Sequence, residues 1–288
     1  MIYSDTRQRF LFDDTDIRGE ITTLEASFQQ ISSRQNYPPA VTALLGEFLA
    51  AASLLSATLK FPATITVQAR GQGPIKTIMA ECFQKTKIRG IVRGDLDALS
   101  GKQSLRQLLE SATLVITIEP QQGERYQGIV PLESDSLSAC LEHYFAQSEQ
   151  LATKIKLVAS QHKASGILLQ QMPRTRDKEK TEADWQHLGA LLESLKVNEQ
   201  LDLSHKDQLY RLFHNEDIRL LEAEPLRFQC SCSKPRTAKA LASLGQEELE
   251  NILQEQGSVQ INCEFCDQRY VFDNNDIAAL FNADEPLH

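Results

Sequence analysis

Two short cysteine pairs lie near the C-terminal end of the sequence, Cys230-Ser-Cys232 and Cys263-Glu-Phe-Cys266, and thirty residues separate them. Two thiolates spaced in this way can bind one tetrahedral zinc ion together, and two such pairs fill its coordination sphere. No histidine lies between Cys230 and Cys266, so the predicted site is made of sulfur alone. Because a filled sphere leaves no position for a catalytic water, the pattern predicts one structural Zn²⁺ per chain.

The sequence around these pairs predicts a small domain, residues 226–288. Strand-like residues flank the second pair at 259–262 and 269–272, which predicts a hairpin with that pair in its turn. Helical sequence runs from about Thr237 past a break at Gly245 to Gly257, and a last short helix covers 275–281. A unit of this size gains only roughly 3–5 kcal/mol from its core. Structural zinc contributes roughly 10–16 kcal/mol of apparent binding energy, so metal loss should unfold this domain.

The same four thiolates are predicted targets of oxidants, because peroxide attacks the thiolate form of cysteine. Oxidation would remove zinc ligands and folding energy together. It favours the local disulfides Cys230–Cys232 and Cys263–Cys266, since those sulfurs remain neighbours after the metal has left. The N-terminus has no apolar segment of the kind found in secretory signals, so we expect a cytoplasmic protein with reduced thiols.

Upstream of the cysteines, residues 1–173 predict an α+β domain. Strand-like runs, several joined by turns too short for parallel crossovers, outnumber the helices. The longest apolar run, Phe48–Leu59, has 12 residues and predicts a buried helix from about Ala40 to Lys60, because a membrane span needs about 20 residues. Cys82 and Cys140 fall in an apolar strand and on an apolar helix face, and they are predicted to be core residues.

The intervening segment, residues 174–225, is predicted to be a helical linker of low stability. It holds 8 Lys and Arg with 12 Asp and Glu, so 20 of its 52 residues are charged. Two amphipathic helices are indicated, one after a capping-box-like Thr181-Glu-Ala-Asp184 and one after Ser204-His-Lys-Asp207. Such a segment can bury little apolar surface by itself and needs another surface to dock on.

Charge and motif geometry count against the rival functions. The net charge of −9, and of 5 − 10 = −5 over residues 226–288, opposes a zinc ribbon that binds nucleic acid. A thiol–disulfide oxidoreductase would place Cys263-x-x-Cys266 at the start of a helix, whereas strand-like sequence lies on both sides here. The stretch Gly71-Gln-Gly-Pro-Ile-Lys76-Thr77 lacks the glycine before lysine of a phosphate loop and predicts a hairpin turn, so no nucleotide site is expected. The histidines form no spaced pair, and no catalytic residue is predicted.

The whole chain resembles one known family, the redox-regulated bacterial chaperones of the heat-shock protein 33 family, and the cysteine arrangement is the most specific element of the resemblance. Other matching stretches are Asp16-Ile-Arg-Gly-Glu20, Tyr37-Pro-Pro-Ala-Val41, Leu44-Leu-Gly-Glu47, Leu54-Leu-Ser-Ala-Thr-Leu-Lys60, Gln72-Gly-Pro74, Leu212-Phe213 with Glu216-Asp-Ile-Arg219, and Pro225-Leu-Arg-Phe228.

The resemblance implies an ATP-independent holdase rather than an enzyme. It implies that Cys230, Cys232, Cys263 and Cys266 bind zinc in an inactive, reduced form. Oxidation with partial unfolding would then form the two local disulfides, release zinc and destabilise the linker. The active form would be a homodimer that holds unfolding client proteins under oxidative stress, with no nucleic acid, membrane or nucleotide partner. No short motif marks the residues that contact clients.

Overall fold

A computed structural model describes residues 5–97, 99, 103–173, 175 and 177–282. By the density of its internal contacts the chain divides into two compact units, Met1–Gln229 and Cys230–His288. The predicted linker therefore falls within the first unit, although its residues Arg174 and Arg176 lie outside the described residues. The last six residues of the predicted zinc-binding domain, 283–288, also lie outside them.

The strands and helices of the described residues are numbered here in chain order. The strands are β1 (Thr6–Phe12), β2 (Ile17–Leu24), β3 (Ala63–Arg70), β4 (Ile75–Phe83), β5 (Lys87–Gly94), β6 (Thr113–Pro120), β7 (Tyr126–Pro131), β8 (Thr153–Ala159), β9 (Ala164–Gln171), β10 (Ile218–Leu220), β11 (Glu224–Pro225), β12 (Arg227–Phe228), β13 (Val259–Asn262) and β14 (Arg269–Phe272). The helices are α1 (Ala26–Ser32), α2 (Pro39–Thr58), α3 (Leu105–Leu109), α4 (Leu137–Tyr144), α5 (Lys178–Ser194), α6 (Val197–Asp202), α7 (His205–Phe213), α8 (Lys234–Ala242), α9 (Gln246–Gln256) and α10 (Asn274–Asn282).

Two six-stranded sheets form the first unit, and the α+β prediction is confirmed. The first sheet has the order β10-β1-β2-β9-β8, with β11 also paired to β1. The second has the order β12-β5-β4-β3-β6-β7. Neighbouring strands in both sheets are antiparallel, except β12 and β5. Tight connections such as that from β3 to β4 explain this arrangement, because short turns permit only antiparallel pairing. Residues 71–74 form this last turn, as predicted.

Helix α2 lies between the two sheets and contacts β2, β8 and β9 of the first and β3, β4 and β5 of the second. Its 20 residues are long and apolar enough to cross a membrane, but 83% of the apolar window is buried inside the fold. Pro38 and Pro39 begin the helix, because proline fits the first turn, where amide groups have no helical partner. This helix is the predicted apolar core helix, found at 39–58 rather than 40–60.

The opposite face of the first sheet carries a second apolar cluster, and this face is covered by the charged segment. The helices supply one side of this cluster, with Trp185, Leu188, Leu192 and Leu195 from α5 and its end and Leu209, Leu212 and Phe213 from α7. Strands β1, β2 and β9 supply the other side, with Phe10, Phe12, Ile17, Ile21, Ile167 and Leu169. The rings of Phe12 and Phe213 meet edge to face at 5.1 Å. Phe10 lies over Gly19 so closely that a Cβ there would be 2.0 Å from the ring. The docking surface that the segment was expected to need is therefore this sheet face.

The beginnings of two helices differ from prediction by three residues, and those of α2 and α10 by one. Helix α5 begins at Lys178, because the Asp177 carboxylate accepts the amides of Glu179 and Lys180, so the predicted start at Thr181 was wrong. Helix α8 begins at Lys234 rather than Thr237, after the N-cap Ser233. The short elements α1, α3, α6, β10 and β11 were not predicted.

The second unit has its own small core, formed by Ala238, Leu241, Leu249, Leu253, Val259, Phe272 and Ile277 from three helices and one hairpin. The predicted hairpin is present as β13 and β14, paired from Val259–Phe272 to Asn262–Arg269. Gly257 ends α9 with a positive φ of 75°, a conformation that favours glycine, as the sequence predicted.

The carboxyl group of Glu47 on α2 predicts a pH-dependent stability of the first unit. Burial raises its pKa from 4.5 to about 7. The folded state therefore holds a proton that the unfolded state releases between pH 4.5 and 7. Stability should fall as pH rises through this window and level off above it. In Glu47→Gln, which imitates the protonated acid, the stability gain over the native chain should grow to about 3 kcal/mol between pH 5 and 8.

Urea unfolding followed by circular dichroism at several pH values measures this difference. Glu124→Gln in the exposed β6–β7 turn is the matched control and should run parallel to the native chain at every pH. Parallel curves for Glu47→Gln as well would show that its carboxyl is not desolvated.

Candidate metal centre

The first cysteine pair lies in the extended segment just before α8. Ser233 caps that helix by accepting the amide of Arg236 at 3.3 Å, and Pro235 lies in its first turn. The Arg236 guanidinium also donates to the hydroxyl of Ser231, the residue between the two cysteines, at 3.0 Å. The cap and this second hydrogen bond hold the Cys230–Cys232 backbone against the start of the helix.

The second pair lies in the turn between β13 and β14, where sequence analysis expected it. The Cys263 amide donates to the Gln268 carbonyl at 2.9 Å, and the Asp267 amide donates back to the Cys263 carbonyl at 2.7 Å. Asp267 adopts a positive φ of 57°, which a short acidic residue tolerates and which turns the chain back into β14. Cys263-x-x-Cys266 is therefore not at a helix start, the position that an oxidoreductase motif would occupy.

These loops bring all four sulfur atoms together. The four Sγ atoms lie within 4.8 Å of one another. The Sγ atoms of Cys230 and Cys263 are 3.6 Å apart, and those of Cys232 and Cys266 are 3.4 Å apart. A tetrahedral zinc with Zn–S bonds of about 2.3 Å requires sulfurs about 3.8 Å apart. The cluster is close enough to hold one metal ion, and its all-thiolate character is consistent with zinc.

The thiols cannot all ionise easily without a cation. Burial raises the pKa of Cys230, and burial with hydrogen bonds from the neighbouring thiols raises the pKa of Cys266 well above its usual range. For Cys232 burial acts in the same direction, but the Tyr270 hydroxyl and the other cysteines outweigh it and lower the pKa. A soft divalent cation next to Cys230 and Cys266 is what would favour their thiolate forms.

Tyr270 is a functional residue that sequence reasoning missed. It lies on β14, four residues after Cys266, and its hydroxyl donates to the Cys232 sulfur at 3.1 Å. That hydrogen bond, together with slight burial, raises the pKa of Tyr270 to about 12. Groups that hydrogen-bond to metal ligands orient them, and a hydroxyl on the strand leaving a cysteine turn was the signal available in the sequence.

The other two cysteines are separate from this cluster. Cys82 is fully buried in β4 and Cys140 is 4% exposed in α4, both within the core between the sheets. Burial raises the pKa of each thiol, which keeps it protonated. Their predicted role as core residues is confirmed.

The comparisons with known proteins agree with the fold and the cluster. The family described as Hsp33 protein matches residues 5–273. The chain belongs to the Hsp33 family. A relative named 33 kDa chaperonin from Pseudomonas aeruginosa is 47% identical over 98% of this chain and 96% of its own length, and one from Azotobacter vinelandii is 48% identical over 96% and 94%.

A solved structure shares the fold of this Hsp33 family member. The crystal structure of a 33 kDa chaperonin from Thermotoga maritima has a TM-score of 0.82, 24% identity, and coverage of 97% of this chain and 99% of its own. The chain is thus a chaperone-family protein with a cysteine cluster able to hold a metal ion.

Removal of the Tyr270 hydroxyl should weaken metal binding. Tyr270→Phe deletes the hydrogen bond to Cys232, and the loss of such a contact to a ligand costs about tenfold in affinity. Competition for Zn²⁺ against a chromogenic chelator measures the change. Tyr210→Phe, at an exposed tyrosine in the first unit, is the control and should bind like the native chain. Equal affinities for both variants would contradict a supporting role for Tyr270.

Proposed function

We propose that this protein is a redox-regulated holdase chaperone that works without ATP and is not an enzyme. In its reduced, inactive form Cys230, Cys232, Cys263 and Cys266 hold one zinc ion. The observation that carries this proposal is the convergence of four thiols in a small unit, whose core has seven buried apolar side chains among the described residues. This unit follows in sequence a charged segment that packs on an apolar sheet face.

Oxidation is proposed to convert the ligands into two disulfides. At each pair of thiolate ligands one S–S bond would form as peroxide accepts two electrons and its O–O bond breaks, and two protons from solvent would complete two waters. Loss of the thiolates releases the zinc, and with it most of the folding energy of the second unit. Within the cluster any pair of sulfurs is within reach, so geometry selects no pairing. Once this unit unfolds, chain connectivity keeps Cys230 with Cys232 and Cys263 with Cys266, which supports the local disulfides.

Residues 174–225 are proposed to act as a metastable cover between a core domain, residues 1–173, and the zinc-binding domain, residues 226–288. Three atoms of the cover, Asp184 Oδ2, Gln200 Oε1 and Gln208 Oε1, are buried without a hydrogen-bond partner within the described part of the chain. Each such atom costs about 1–3 kcal/mol. These penalties cancel part of the free energy gained from apolar packing, which supports a low free-energy cost for release of the cover.

The client surface is proposed to be the face of the first sheet beneath this cover. Release would expose the apolar side chains that now pack on α5 and α7, among them Phe10, Phe12 and Ile21. Contiguous apolar surface of this kind binds other unfolded polypeptides. We propose that the active form is a cytoplasmic homodimer that holds unfolding clients during oxidative stress and uses no nucleotide, nucleic acid or membrane.

Oxidation should switch on client holding. The reduced protein should carry one zinc per chain and fail to suppress aggregation of a denatured client, whereas peroxide under mild heat should release zinc and produce suppression without ATP. Light scattering and a chromogenic zinc assay measure both quantities in one sample. Equal suppression by reduced and oxidised protein would remove the redox switch from the proposal.

Detachment of the cover alone should also activate the protein. Phe213→Ala removes a ring that is 1% exposed and contacts Phe10 and Phe12, at a cost of about 3–5 kcal/mol. The reduced variant should hold clients with zinc still bound, and the fluorescence of Trp185, the single tryptophan, should shift to the red as it becomes solvated. Tyr210→Ala, on the exposed side of the same helix, is the matched control and should stay inactive until oxidised. Zinc loss from reduced Phe213→Ala would contradict a cover that acts separately from the metal.

A further inference from the structure

The end of the cover completes the first sheet. Strand β10 pairs antiparallel with β1 from Phe10–Leu220 to Phe12–Ile218, and β11 pairs with its other end at Thr6–Pro225 and Arg7–Glu224. The Leu221 amide donates to the Arg9 carbonyl at 2.9 Å, and the Asp13 amide donates to the Asp217 carbonyl at 3.0 Å. The end of the cover, with the adjoining Leu226, therefore hydrogen-bonds to the backbone along one edge of β1 over residues 217–226. Strand β2 hydrogen-bonds along the other edge.

Release of the cover would leave this edge of β1 open. An open edge presents a row of unpaired amides and carbonyls, which bind any extended chain that can add as a strand. We propose that the oxidised protein captures an extended segment of its unfolding client as a new strand on β1, in the place of residues 217–226. This inference rests on the proposed function, because it requires the cover to leave.

The charges along the edge define which client segments fit. Arg7 is 2% exposed and its guanidinium pairs with the Glu224 carboxylate of the cover. Beside it lies a cavity of about 590 Å³, lined by the cations Arg7, Arg9, Arg18, Lys60 and Lys85. Two of the three carboxylates in its lining, those of Glu222 and Glu224, belong to the cover. Their departure leaves five cations facing Glu20 alone within this lining.

The preferred occupant is therefore an extended client segment with apolar residues followed by a carboxylate. The cover has this pattern, because Ile218, Leu220 and Leu221 precede Glu222 and Glu224. The apolar part would pair beside Phe10 and Phe12, and the carboxylate would neutralise Arg7. The Arg7 guanidinium would keep its hydrogen bonds to Ser53 and Ser56 but lose the carboxylate of Glu224. Loss of that opposite charge is costly, which gives the acidic residue of the client a role in affinity.

Residue-resolved hydrogen exchange on the full oxidised chain tests the strand pairing. Amides alternate along β1, so those of Leu11 and Asp13 point to the cover while those of Phe10 and Phe12 point to β2. Oxidation should deprotect Leu11 and Asp13 at least tenfold, and addition of an unfolded client should restore their protection. Phe10 and Phe12 should stay protected throughout.

A synthetic peptide with the sequence of residues 216–226 provides a defined probe. It should bind the oxidised but not the reduced protein and should compete with client. N-methylation at its Leu221 amide, which removes the donor to Arg9, should weaken binding about tenfold. The same methyl group at Leu220, whose amide points away from β1, is the matched control. The Glu224→Gln peptide should bind more weakly than the parent peptide.

The outcomes separate this inference from the proposed function. Client holding with Leu11 and Asp13 still unprotected, or equal binding of the two methylated peptides, overturns strand addition and leaves the holdase intact. Protection that appears on dimerisation and does not change with client assigns the edge to a second copy of this chain and also overturns the proposal. Absence of holding by the oxidised protein rejects the proposed function itself.

Discussion

The structure depends on a sheet whose two faces are both apolar. Along β9, Leu168 faces the core helix α2, while its neighbours Ile167 and Leu169 face the other way. One face is closed permanently by the helix between the sheets. The other face has to be buried by residues 178–213, because each large apolar side chain left in water costs about 1.5–3 kcal/mol. The fold therefore contains a contiguous apolar sheet face that its own chain covers.

The cover and the metal centre are of different physical strength. The cover packs one apolar stripe from α5 and one from α7 on the sheet, and it carries buried polar atoms without hydrogen-bond partners within the described residues, which lower the net free energy of docking. In the proposed reduced form, four metal–sulfur bonds would supply much of the stability of a small unit, and an oxidant could remove them chemically. The two are close in sequence, because the last strand of the cover, β11, ends at Pro225 and the second unit begins at Cys230.

Prediction from sequence succeeded where the signal was local. The apolar run Phe48–Leu59 gave the buried helix α2, and paired cysteines beside strand-like residues gave the hairpin turn of the metal centre. It failed for β10 and β11, which have three and two residues and exist because they pair with β1, about two hundred positions away in sequence. The start of α5 was misplaced because the capping-box-like Thr181-Glu-Ala-Asp184 gave a plausible start, while the N-cap is Asp177, four residues earlier. Tyr270 was missed because its contact with Cys232 joins strand β14 to the segment before α8, which are 38 positions apart in sequence and which only the fold brings together.

The high charge of the cover would also keep the segment solvated, and away from the sheet face, after the proposed release. With 20 charged residues in 52, the segment has too little apolar surface to collapse on itself once it leaves the sheet. The cover has 12 acidic and 8 basic residues. This acid excess complements the basic cavity beside Arg7 when the cover is docked, and it would favour solvation of the cover after release. A segment that docks weakly on the sheet and is well solvated in water could be replaced there by a client. A purely apolar cover would either remain bound or aggregate. The same charges would therefore favour both the proposed release of the cover and its solubility once released.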